Sequence, residues 1–165
     1  MNEATPLGVL VVGVGNELRG DDGAGLEVAR RARQRARGDD IDVRELRDDP
    51  IELLDAWVGR AAAVLVDTMR SGASPGTVLR LDASHEPLPA AHRHGPSSTH
   101  ATGVAETIEL ARALGRMPTR VIVYAVEGRR FDAGAGLSEE IAAIVPAVAD
   151  RVLREARSLR SVTAQ

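Results

Sequence analysis

The chain has no cysteine, which excludes disulfide staples, thiolate nucleophiles and thiolate metal ligands together. Aromatic residues are almost missing, with only Trp57, Tyr124 and Phe131 present, so a core must be built from Val, Leu, Ile and Ala. Basic charge is not in surplus. The formal net charge is −3 and the pI about 5.8, whereas a nucleic-acid partner calls for a basic footprint. The one basic run, Arg30, Arg31, Arg33, Arg35 and Arg37, falls late in a predicted helix, where cations suit the negative end of the dipole. It reads as a solvated helical face. No apolar run reaches membrane-spanning length, and "MNEATPLG" has no basic n-region. Neither a membrane partner nor a targeting peptide is expected, and the cytoplasm is the expected compartment.

What is present describes one globular domain over residues 1–165, with 44% hydrophobic and 27% charged residues, long enough to bury a core of its own. Leu7 to Val14 reads as a buried strand ended by glycine. A helical pattern follows from about Gly20 to Arg37, with Gly38 as a stop signal. Ile41 to Leu46 alternates as a strand nearer an edge, and "PIELLDAWVG" starts a short helix with Pro50 near its first position. Ala61 to Asp67 is a second buried strand, Thr77 to Leu81 an alternating one, and "RVIVYAV" a fifth. A polar, proline-bearing loop spans about Asp82 to Thr99, ahead of a helix over about Thr102 to Leu114. The last helix runs from Ser138, a natural N-cap, to about Leu159, interrupted by Pro146. Strands alternating with helices imply a three-layer α/β/α sandwich with a mostly parallel, twisted sheet and one antiparallel strand.

Ligands of open α/β sheets bind beyond the carboxyl ends of the strands, and three polar groups are expected there. Asp21 and Asp22 follow the first strand, Asp67 terminates the third, and His100 stands at the entry to the next helix. "VVGVGNELRGDDGAG" is not a nucleotide loop: Leu18 stands where a third dinucleotide-type glycine belongs, and no Gly-Lys-Ser/Thr ending follows. A carboxylate at the helix start would also repel phosphate. The glycines therefore serve a tight strand-to-helix turn, braced by Asn16. Only one of two successive aspartates can cap a helix, since their side chains diverge by about 100°. The simplest division gives capping to Asp21 and the site to Asp22.

Asp67 closes an apolar run, so it is either part of a site or tied to Arg70 or to the next loop. At a helix N-terminus His100 is kept neutral and able to bind metal, though a capping or surface role is equally open to it. Two carboxylates and an imidazole at one sheet edge suit a divalent first-row metal. His85, His92 and His94 lie in the polar loop and are expected to be exposed.

"GVGNELRGDDGAG", "VLVDTMRSGASPGTV", "SSTHATGVAETIELARALG", "VIVYAVEG" and "GAGLSEEI" together resemble, in order and over nearly the whole chain, the hydrogenase maturation endopeptidases. The resemblance implies a nickel-dependent protease that removes a C-terminal extension from a nickel-loaded [NiFe]-hydrogenase large-subunit precursor. It implies that the nickel is supplied by the substrate and is read by Asp22, Asp67 and His100. On physical grounds the nickel polarises the scissile carbonyl or activates water and Asp22 or Asp67 is the expected catalytic proton shuttle, the alternative being that both only dock the metal. One departure stands out: the acidic-x-Gly-Thr stretch of many members, linked to substrate selection, is "ELRDDPIELL" here. Asp48 and Asp49 in it read as loop or cap residues. The same three residues also fit a metal-dependent hydrolase holding its own ion, or a non-catalytic nickel- or precursor-binding chaperone. The loop Asp82 to Thr99 reads as a lid or docking element.

Overall fold

The protein's structure, a computed structural model, describes residues 7–47, 49–89 and 103–163. The apolar runs become central strands and the amphipathic stretches cover them. In chain order the elements begin with β1 (Leu7–Val14), a 3-10 turn (Gly20–Gly23), α1 (Ala24–Arg35), β2 (Ile41–Leu46) and α2 (Pro50–Ala56). They continue with β3 (Arg60–Met69), β4 (Val78–Asp82), α3 (Val104–Ala113), β5 (Arg120–Glu127) and α4 (Glu139–Thr163).

The sheet order is β2-β1-β3-β5-β4. All neighbours are parallel except β4 and β5, which are antiparallel. Alternate strand residues feed two cores. Val9, Val11, Val64, Val66 and Ile122 pack under α1 and α4, and Leu10, Val12, Ala63, Leu65 and Val123 pack under α2 and α3. This is the expected three-layer sandwich, with the sheet buried on both sides as parallel sheets require.

Three local expectations change. The last helix is not interrupted: α4 runs through Pro146, because Ile141, Val145, Val148, Ala149 and Val152 around it are all buried. That burial outweighs the roughly 3 kcal/mol a helix-interior proline costs. The basic run of α1 is only partly a solvated face. Arg31 and Arg37 are exposed, but Arg30 pairs with Glu17, Glu27 and Glu45, Arg33 with Glu45, and Arg35 with Asp150. These pairs stitch α1 to β2 on one flank and to α4 on the other. Finally, the beginning of the polar loop is anchored, and its residues 90–99 lie outside the described residues. Ser84 Oγ accepts from the Val121 amide at 3.1 Å, and the Arg112 guanidinium donates to the carbonyls of Ala83, Ser84 and Glu86. Because β4 runs antiparallel, this anchored segment sits at the amino edge of the sheet, opposite the expected site.

The strand β4 is held to α4 by one charged cluster. Arg80 donates to both Glu155 oxygens at 2.6 and 2.9 Å, and the Tyr124 hydroxyl donates to Glu155 at 2.9 Å. Arg80 holds the Glu155 carboxyl below its ordinary value, burial opposes this, and the Tyr124 hydroxyl adds to the lowering. A carboxyl lowered in the folded state stabilises the fold fully above its unfolded pKa, about 4.3, and ceases to do so as pH falls through the folded value. Glu155→Gln should therefore cost about 1 kcal/mol at pH 7. The difference from wild type should shrink toward zero in acid below that window. Urea unfolding at both pH values checks this, and a difference of equal size at both would refute it.

Candidate active site

The connection from β1 through α1 leads outward to β2, and the next crossover returns to β3 on the other side of β1. The carboxyl ends of β1 and β3 therefore flank the topological switch point, where such sheets open a crevice. Gly13 lies opposite Val66 in the register, so Asp67 comes one residue beyond the last β1–β3 pair. The glycines of the first turn are there for close approach. A Cβ on Gly25, in the first turn of α1, would stand 2.5 Å from the carbonyl oxygens of both Val14 and Val66. One on Gly15 would collide with the carbonyl of Asp22. Asn16 braces the loop as expected: its Oδ1 accepts from the Leu18 amide at 3.0 Å, and its own amide donates to the Asp22 carbonyl at 3.1 Å.

The capping role expected of Asp21 does not hold. Asp21 caps no helix: the residue before the 3-10 turn is Arg19 and that before α1 is Gly23, neither with a side-chain cap bond. Asp21 is instead fully buried and turned toward the segment between β5 and α4. Its Oδ2 accepts from the amides of Arg129 and Arg130, each at 2.8 Å, and from Ser138 Oγ at 2.9 Å. Its Oδ1 accepts from the Ser138 amide at 2.6 Å. Burial pushes this carboxyl up, but the donors from Ser138, Arg130 and Arg129 outweigh it, so it lies below the ordinary aspartate value. Sequence proximity suggested a local cap, while the partners lie more than one hundred positions away. Ser138, expected only as a helix cap, spends its hydroxyl on this contact.

Asp22 is half-buried in the 3-10 turn that follows β1. Asp67 is half-buried too, but it does not terminate its strand. Pairing with β5 continues through Thr68 to Met69 opposite Glu127, and Asp67 lies opposite Ala125. Its Oδ1 accepts from the Thr68 amide at 2.8 Å. By alternation Asp67 shares the α2/α3 side of the sheet with Ala63 and Leu65. The guanidinium of Arg70 stands over the Phe131 ring, 4.7 Å from its centroid. On the same side as Asp67 a narrow cleft is lined by Val14, Arg47, Asp49, Val104 and Thr107, at the starts of α2 and α3. Asp49 is the N-cap of α2, accepting from the Ile51 amide at 2.8 Å, as the loop-or-cap reading required.

His100, His92, His94 and Asp48 lie outside the described residues, and His85 is exposed as expected. Among the described residues no group of three metal-ligating side chains is gathered. A further carboxylate at this edge is buried. Glu127 closes β5, 2% exposed, and accepts from the amides of Ser71 and Gly72 at 3.0 Å and from Ser71 Oγ at 2.7 Å. The rule applied to Asp67, a carboxylate ending an apolar run, picks out Glu127 equally well.

The fold is that of an open, mostly parallel α/β sheet whose first strand-to-helix turn carries two aspartates and no phosphate-loop spacing. The chain belongs to the hydrogenase maturation protease family, whose model matches residues 33–155. That span contains Asp67 and His100 and begins after Asp22. The chain is 28% identical over 152 residues to a putative hydrogenase maturation protease of Methanocaldococcus jannaschii, covering 89% of this chain and 95% of that protein. It is 24% identical over 151 residues to the hydrogenase 2 maturation protease of Escherichia coli strain K12, covering 90% of each. The solved structure of the hydrogenase maturating endopeptidase HybD from E. coli shares the fold, with a TM-score of 0.77, 24% identity and coverage of 92% of this chain and 93% of that one.

Replacing Asp21 by alanine would strand three amides and a hydroxyl, of which the Ser138 amide and hydroxyl are buried and the Arg129 and Arg130 amides partly so. With each orphaned donor costing 1–3 kcal/mol, Asp21→Ala should lose at least about 3 kcal/mol and lower the melting temperature by about 10 °C. A calorimetric shift below about 2 °C would show that these bonds contribute little to stability.

Proposed function

We propose that the protein is an endopeptidase that removes the C-terminal extension from a nickel-loaded [NiFe]-hydrogenase large-subunit precursor. The nickel is part of the substrate, and Asp22, Asp67 and His100 are the side chains that meet it. The observation that carries this reading is that the turn bearing Asp22 and the strand bearing Asp67 converge on the switch point, in a chain of the hydrogenase maturation protease family. Support for His100 comes from chain direction. Helix α3 starts at the carboxyl edge, with Val104 lining the same cleft as Val14, and His100 lies three residues before Gly103. Oxygen and imidazole ligands are a suitable set for a divalent first-row metal.

In this reading the nickel polarises the scissile carbonyl or a bound water, and the carboxylate of Asp22 or Asp67 accepts and returns the proton. Arg47 and Asp49, on the cleft wall where many relatives carry an acidic-x-Gly-Thr stretch, then meet the precursor and bear on which hydrogenase is served.

The test mixes the full chain with precursor, with and without nickel, and weighs the product. Wild type should shorten only the nickel-loaded form. Asp22→Ala and Asp67→Ala should each slow cleavage by at least about one hundredfold, the scale of a lost proton-transfer group, while melting within about 4 °C of wild type. An intact precursor after incubation with wild type would point to a binding chaperone. Stoichiometric metal in the protein as purified would point to a hydrolase with its own ion. Either result overturns the proposal.

A further inference from the structure

Thr68 immediately follows Asp67 on β3 and makes two bonds in opposite directions. Its amide donates to Asp67 Oδ1 at 2.8 Å, and its hydroxyl donates to the main-chain carbonyl of Asp21 at 2.9 Å. Asp21 immediately precedes Asp22. One side chain thus reaches from the residue after one candidate carboxylate to the residue before the other, across 47 positions of sequence. The third partner is close-packed against this bridge: a Cβ on Gly128 would stand 2.9 Å from Thr68 Cγ2 and 3.2 Å from Asp21 Cβ. The Gly128 amide in turn donates to the Met69 carbonyl at 3.1 Å. The turn, the strand end and the segment after β5 are therefore in direct contact around Thr68.

We propose that Thr68 is a positioning residue, setting the separation of the Asp22-bearing turn from Asp67 through its hydroxyl. The inference rests on the reading of Asp22 and Asp67 as the groups that meet the nickel-bearing substrate. A site that holds no ion of its own must present its ligands already spaced, because nothing in the free protein draws them together. Sites of this kind tolerate errors of only about 0.5 Å. A threonine needed merely as a strand former would be matched by valine, which is isosteric and equally suited to a strand. The hydroxyl is the only part that valine cannot supply.

The full-length wild type, Thr68→Val and Thr68→Ser are compared in two measurements. The first is hydrogen exchange at the amides of Asp21 and Asp22, which donate to the carbonyls of Arg130 at 2.7 Å and Arg19 at 3.2 Å. In Thr68→Val these amides should exchange at least about tenfold faster, with Val64 and Val123 unchanged, while Thr68→Ser behaves as wild type. The second is cleavage of nickel-loaded precursor. For Thr68→Val, kcat should fall about tenfold with KM within about twofold, at a melting temperature within about 4 °C of wild type, and Thr68→Ser should restore the rate. Equal exchange in Thr68→Val and wild type overturns the positioning role, as does a serine variant as impaired as the valine one. A wild type that leaves the precursor whole overturns the functional reading instead, and the exchange measurement then decides alone whether Thr68 holds the two segments in place.

Discussion

A carboxylate with no exposure to water must find its solvation inside the protein, and Asp21 finds it in the segment joining β5 to α4. Burying that charge without the four donors would be too costly to sustain. The presence of the charge therefore dictates where residues 129–138 must lie. Through its own backbone the same residue also receives Thr68 from β3 and donates to Arg130. The turn after β1, the end of β3 and the segment after β5 thus meet on one residue at the carboxyl edge.

The two adjacent aspartates accordingly have opposite fates. Asp21 is withdrawn and saturated, whereas Asp22 stays half-buried in the same turn. A 3-10 turn makes this possible, because successive side chains on it diverge widely. On the functional reading proposed above, the arrangement offers a metal-bearing substrate carboxylates on hydrogen-bonded backbone. The rest of the edge follows the same economy. Glu127 is consumed in holding the β3–β4 turn, and Asp49 in starting α2.

Much of this architecture is legible in the chain alone. Unbroken Val and Ala runs mark β1, β3 and β5, alternation marks β2 and β4, and the sandwich follows from their order. Boundaries shift where pairing or packing continues past a local signal. Strand β3 extends to Met69 because β5 runs beside it, and α4 passes Pro146 because its flanking residues are buried. The polar loop after β4 looks free in sequence, yet its first residues are pinned by Arg112, a helix residue whose reach no periodicity reveals.

The doubled aspartate shows where each kind of information ends. Sequence by itself determined that "GVGNELRGDDGAG" is a tight turn bearing acids and not a phosphate loop, because spacing and charge are local properties. It also determined that Asp22 and Asp67 belong at one sheet edge, since strand order and chain direction place them there. Only the tertiary structure decided which aspartate is structural, that Ser138 and Thr68 serve it, and that Glu127 is a buried clamp. Those roles depend on hydrogen-bond partners dozens to more than a hundred residues away, and a buried charge is defined by such partners and not by its neighbours in the chain.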